Sequence, residues 1–172
     1  MKNWQDYKKT YRTESDIFDF ARCGDLSGLA STLSDSPELD LDAKNHRGYS
    51  ALMLAVYNGN RDFCEALLRC RANVDSADFV GNTPLMGAAF KGDLKILKLL
   101  LRFDANATLK NKSNMTVRDW AAMFKRAEII EYFDKNYGST ASTSKVKNFF
   151  RFIKLGAILL QMKITGNTRN LG

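Results

Sequence analysis

The sequence predicts an all-α solenoid: helical hairpins stacked side by side, joined by loop fingers, with a helical extension at each end. Three observations carry this prediction. Gly48-Tyr49-Ser50-Ala51-Leu52-Met53 returns 33 residues later as Gly81-Asn82-Thr83-Pro84-Leu85-Met86. The same shift aligns Gly59-Asn60 with Gly92-Asp93 and Ala66-Leu67-Leu68 with Leu99-Leu100-Leu101. Within each unit, apolar residues recur at helical spacing on both sides of the Gly-polar pair, the pattern of two short helices that cannot bury their faces alone.

The elements follow in chain order. Residues 1–13 form an extension in which Trp4, Tyr7 and Tyr11 share one helical face, suited to covering the first unit. Four units then fill 14–138, divided at about 14–41, 42–74, 75–107 and 108–138. The first is matched through Phe20-Ala21-Arg22-Cys23-Gly24-Asp25-Leu26 with a shift of 35, the two extra residues falling in the Ser34 to Glu38 connection. The fourth begins its helical part at Asn114-Met115-Thr116-Val117. Within the third unit, Thr83 suits an N-cap, Pro84 suits the first helical turn, and Gly92-Asp93 ends one helix and begins the next. Leu94, Leu97, Lys98, Leu100 and Leu101 are expected on the inner side of its second helix, with Lys95 and Arg102 toward water.

This pattern resembles the ankyrin repeat, which opens Gly-x-Thr-Pro-Leu-His-x-Ala, turns at a Gly-Asp or Gly-Asn, and closes on Leu-Leu and Gly-Ala-x-x-Asn. Met53 and Met86 stand at the His position, and Arg71 and Asp104 at the closing Gly. Methionine fills irregular gaps well. Replacing the closing glycines is expected to lower stability modestly, because a left-handed residue after a helix is easiest for Gly. The resemblance implies a non-enzymatic binding protein that meets its partner across the finger tips and the concave face of the first helices.

Carried over by position, the tips are His46, Arg47 and Tyr49 in unit two, Phe79, Val80 and Asn82 in unit three, and Lys112 and Met115 in unit four. Phe79 and Val80 stand out, since a tip is normally polar; the ring either meets a partner or folds back on its own loop. The groove positions are Tyr57-Asn58, Phe90-Lys91 and Phe124. Tyr57 and Phe90 are equivalent, whereas Phe124 falls one place past the equivalent Met123, which weakens an aromatic ladder. The same rings could instead seal neighbouring hairpins.

Little else in the chain suggests chemistry. His46 is the single histidine and lies in a predicted loop, with no nucleophile or metal-ligand pattern around it. Gly81, Gly87 and Gly92 are accounted for by turns and close helix packing, so no phosphate-binding loop is read, and no cofactor or metal is expected. Cys23, Cys64 and Cys70 have neither disulfide-framework nor metal-ligand spacing. A cytoplasmic location is expected, in the producing cell or in a host cell that receives the chain.

Charge singles out the C-terminal segment. The chain carries a formal net charge of +7, and residues 141–172 hold six basic residues and no acidic one. After a Ser/Thr-rich linker at 139–144, residues 145–164 read as a basic amphipathic helix, followed by a disordered tail at 165–172. Lys147, Arg151 and Lys154 lie on one side, and Phe149, Phe150 and Ile153 largely on another. Docking on the last repeat, a protein partner, or an anionic membrane surface all fit this helix. Nucleic acid fits worst, because bulky apolar residues interrupt the charge and no reading motif is present. Oligomeric state is left open by the sequence.

Overall fold

The computed structural model describes residues 16–137. The N-terminal extension at 1–13, the linker at 139–144, the helix at 145–164 with Lys147, Phe149, Phe150, Arg151, Ile153 and Lys154, and the tail at 165–172 lie outside the described residues. The chain divides into two compact units, 1–130 and 131–172. Among the described residues every regular element is helical.

The helices come in pairs. Ile17–Cys23 (α1) and Leu26–Asp35 (α2) form the first hairpin, Ala51–Asn58 (α3) and Arg61–Arg69 (α4) the second. Pro84–Lys91 (α5) and Leu94–Arg102 (α6) form the third, and Val117–Met123 (α7) and Ala127–Tyr137 (α8) follow. Residues 131–137 of α8 belong to the second unit, where the Asn136 side-chain amide donates to the Tyr132 carbonyl at 2.7 Å.

Local sequence fixes where each helix starts and stops. The first helices of successive repeats are capped at one equivalent place by Ser50, Thr83 and Thr116, whose hydroxyls accept from Met53, Met86 and Asp119 N–H. Thr116 completes a capping box, because the Asp119 carboxylate accepts in return from Thr116 N–H at 2.9 Å. Pro84 occupies the first turn of α5. Gly59 and Gly92 end α3 and α5 in the left-handed conformation, at φ of 77° and 80°.

The fourth repeat makes the same turns without glycine. Asn114 and Lys125 stand where Gly81 and Gly92 stand one repeat earlier, yet hold φ of 58° and 55°. Arg71 and Asp104, at the closing-glycine place, are likewise left-handed, at 68° and 63°. The expected conformation is therefore kept, at a steric cost for Arg71 and Lys125 and more easily by Asp104 and Asn114, whose short polar side chains tolerate it.

First helices pack on first helices and second on second. Contacts run from α1 to α3, α3 to α5 and α5 to α7, with α2 on α4 and α4 on α6 behind them. Leu52, Met53, Val56, Leu85, Met86, Ala88 and Ala89 are essentially buried along the first-helix row, and Phe63, Leu67, Ile96, Leu97, Leu99 and Leu100 along the second. The buried stripe of α6 thus differs from the sequence expectation. Lys98 is exposed and Leu94 and Leu101 only half-buried, while Ile96 and Leu99 turn inward. A run as leucine-rich as 94–101 offers apolar residues on several sides, so its neighbours choose the phase.

Gly87 also departs from expectation. A Cβ built there would sit 3.4 Å from Met53 Sδ and 3.5 Å from Val56 Cγ1, ordinary contact distances. Close packing does not require glycine at that position.

Candidate protein interface: finger tips and aromatic groove

Each finger is shaped by one polar side chain at a recurring place. Asn45 Oδ1 accepts from Arg47 and Tyr49 N–H at 2.9 and 3.0 Å, Asp78 Oδ1 from Val80 and Asn82 N–H at 2.9 and 2.8 Å, and Asn111 Oδ1 from Ser113 and Met115 N–H at 3.0 Å each. The backbone closes the same loops, with the N–H of Asn45, Asp78 and Asn111 donating to the carbonyls of Tyr49, Asn82 and Met115. Asx side chains favour such turns because their short oxygen reaches the main chain two residues on.

This geometry decides which finger residues face outward. His46, Arg47 and Lys112 are exposed, Phe79 is 60% exposed and Val80 53%. Asn82 and Met115, expected at the surface, are buried at 8% each. The loop-closing pair turns their side chains inward, and Asn82 becomes a bridge: its amide donates to Asp78 Oδ2 at 3.0 Å and its carbonyl accepts from Asn111 Nδ2 at 2.7 Å. Lys112 N–H donates to the Val80 carbonyl at 2.9 Å, tying the third and fourth fingers together. Phe79 leans across the preceding finger, so close that a Cβ at position 48 would lie 2.6 Å from its ring.

The groove carries a continuous line of aromatic rings. Tyr49 and Tyr57 meet edge to face with centroids 5.7 Å apart, Tyr57 and Phe90 at 6.2 Å, and Phe90 and Phe124 at 4.7 Å. Trp120 stacks on Phe124 at 5.4 Å and meets the Phe90 edge at 6.1 Å. The shift of Phe124 past the end of α7 does not break the line, because Trp120 fills the same end. Each such contact adds about 0.5–1.5 kcal/mol beyond area burial.

Trp120 is not marked by the repeat register. Its equivalents are Leu54 and Gly87, so comparing repeats gives no hint of an aromatic there. Tyr49 belongs to a tip by register, but its ring joins the groove. With Asp78, these rings line a cleft of about 460 Å3. Burial first, then the nearby Tyr49 and Asp78, pushes the Tyr57 hydroxyl up to about 12, so it remains a neutral hydrogen-bonding group. Asn58 is exposed and returns its side chain to the Leu54 carbonyl at 2.8 Å, and Lys91 is exposed at the end of α5.

Groove and fingers rest on junctions whose polar content varies at one repeat position. Asn60 Nδ2 donates back to the Ala21 and Arg22 carbonyls at 2.8 and 3.0 Å. Its equivalent one repeat on, Asp93, caps its own helix by accepting from Ile96 N–H at 2.9 Å. The next equivalent, Arg126, reaches back with Nε and Nη2 to the Phe90 carbonyl at 3.0 and 2.7 Å.

The profile described as ankyrin repeats in three copies matches residues 19–111 and again 52–143. This chain is an ankyrin-repeat protein. The repeats make it a protein interaction module. Among its relatives are the "Probable E3 ubiquitin-protein ligase XBOS31" of Oryza sativa, 32% identical over 69% of this chain and 27% of that protein, and "Protein fem-1 homolog A-like" of Mus musculus, 34% identical over 54% and 14%. "Inversin" of Gallus gallus is 35% identical over 59% of this chain and 9% of its own length. The chain spans roughly a tenth to a quarter of these relatives, so the ligase activity one of them is named for belongs to that whole protein. Ankyrin repeats themselves are typically non-catalytic.

Proposed function

We propose that this ankyrin-repeat protein is a non-catalytic adaptor or inhibitor that holds another protein across its finger tips and aromatic groove, in the cytoplasm. The observation that carries the reading is the half-exposed ring line Tyr49, Tyr57, Phe90, Phe124 and Trp120 beside the cleft. Rigid aromatic side chains with one free face make efficient anchors, because few rotamers are lost on binding. Free Cys23, Cys64 and Cys70 agree with a reducing compartment.

The test is affinity capture from source-cell extract with the intact chain and with a Tyr57→Ala/Phe90→Ala variant whose fold is verified by circular dichroism. A captured protein that disappears selectively with the variant supports the reading. Equal capture by both would remove the groove from it.

A second reading, a peripheral membrane recruiter, rests on the six uncompensated basic residues of 141–172. Sedimentation with anionic liposomes by the full chain, absent for residues 1–140, would favour it over the adaptor.

A further inference from the structure

The exposed pair Phe79–Val80 is the least expected feature of the finger row. Phe79 is not loose: its ring is seated over the backbone of Gly48, which leaves one face presented at fixed orientation. Val80 is held by the bond from Lys112 N–H to its carbonyl. An apolar step fixed by two neighbouring fingers is prepared for contact rather than exposed by accident.

Cations stand on both sides of that step. Arg47 immediately precedes the glycine under Phe79, and Lys112 follows Val80 across the finger-to-finger bond. Both are exposed, and neither joins an ion pair among the described residues. Lys44, by contrast, is drawn aside to the Ala77 carbonyl. The finger carboxylates are turned to structural use: Asp78 accepts from Val80 and Asn82, Asp42 from Asn73 N–H at 2.8 Å, and Asp75 from Asn106 N–H at 3.1 Å. The outward pattern of the row is therefore cation, apolar step, cation.

Resting on the interaction reading above, we propose that the fingers recognise an extended protein segment in which one apolar residue sits between two carboxylates. Packed helices lie about 8–10 Å apart, and loops carried by successive stacked helix pairs are expected to inherit about that spacing. An extended chain advances about 3.3 Å per residue, so each finger step takes about three residues. The fitting segment is Asp/Glu-x-x-apolar-x-x-Asp/Glu, its centre on Phe79–Val80 and its acids on Arg47 and Lys112. An anionic membrane would satisfy the same cations, but its headgroup layer offers no apolar group at the level of the fixed Phe79–Val80 step. A narrow segment meets only the three outward groups.

Selection of a random peptide library on the full chain tests this, run in parallel on Arg47→Glu/Lys112→Glu, on Phe79→Ser/Val80→Ser and on the groove variant Tyr57→Ala/Phe90→Ala, each checked for folding by thermal melting. The wild type should enrich acid-apolar-acid segments about tenfold over the same segments with lysine flanks, two surface charge pairs being lost in the exchange. The Arg47→Glu/Lys112→Glu variant should invert that preference, and Phe79→Ser/Val80→Ser should abolish it. Enrichment indifferent to the charge reversal, or none at all, overturns the inference. Peptides lost only in Tyr57→Ala/Phe90→Ala would overturn it too while leaving the interaction module standing. So would phosphatidylserine vesicles binding the wild type, and not the charge-reversed variant, when no peptide is selected.

Discussion

The junction between the second and third repeats and the junction between the third and fourth are built from different materials. The first rests mainly on packing: Met53 and Val56 pack across to the Gly87 face of α5, Asp93 spends its carboxylate on its own helix, and the Lys44 ammonium adds a polar tie at its edge by donating to the Ala77 carbonyl. In the second, Arg126 binds the Phe90 carbonyl twice, Asn111 binds Asn82, and Lys112 N–H binds the Val80 carbonyl. The contrast shows that one repeat pattern can be closed by packing or by polar staples, and that a single register position, occupied in turn by Asn60, Asp93 and Arg126, helps decide which.

Four measurements would break or sharpen that contrast. Met53→Ala should produce the largest loss, about 3 kcal/mol in urea unfolding, because it removes a fully buried side chain from the packed junction. Arg126→Met keeps most of the stem but leaves the Phe90 carbonyl short of its donor; a loss of about 1–2 kcal/mol is expected. Hydrogen exchange should place that loss in α7, with α3 protected as before. If the amides of α3 loosen equally, the two junctions are not independent.

Gly87→Ala should act in the opposite direction, adding about 0.8 kcal/mol, since the new methyl meets only ordinary contacts and Ala is the better helix former. A lower urea midpoint would mean the packed junction is tighter than its distances indicate. The fourth effect is nil at neutral pH and appears only in alkali. Burial first, and then the Asp93 charge from the next repeat, pushes the Cys64 thiol from 9.0 up to about 12. Above its ordinary value the unfolded chain releases this proton and the folded chain keeps it, so the contribution is complete below 9.0 and fades as pH rises toward about 12. Cys64→Ala should flatten that part of the decline in the urea midpoint.

Much of the fold was legible because the repeat states it several times. The cap at Thr83 and the turn at Gly92 follow from local chemistry, and the 33-residue register carries them to Ser50, Thr116 and Gly59. The phase of α6 was not legible, since leucines at 94, 97, 99, 100 and 101 satisfy more than one face. At the site, Tyr57 and Phe90 could be found by register alone. Asn82 and Met115 read as outward from sequence, because a polar or long side chain in a loop gives no sign of the main-chain pairing that turns it inward. Trp120 and Arg126 carry their roles only through residues more than one repeat away or through repeats that differ, and a search for sameness passes over both.

The direction of the staples has a consequence for synthesis. Asn60 reaches back 39 and 38 residues, and Arg126 reaches back 36, each to the last turn of the first helix of the preceding repeat. The first and third hairpins leaving the ribosome therefore keep these carbonyls toward water until the second and fourth have emerged, whereas the second hairpin waits for no such donor because Asp93 caps its own helix.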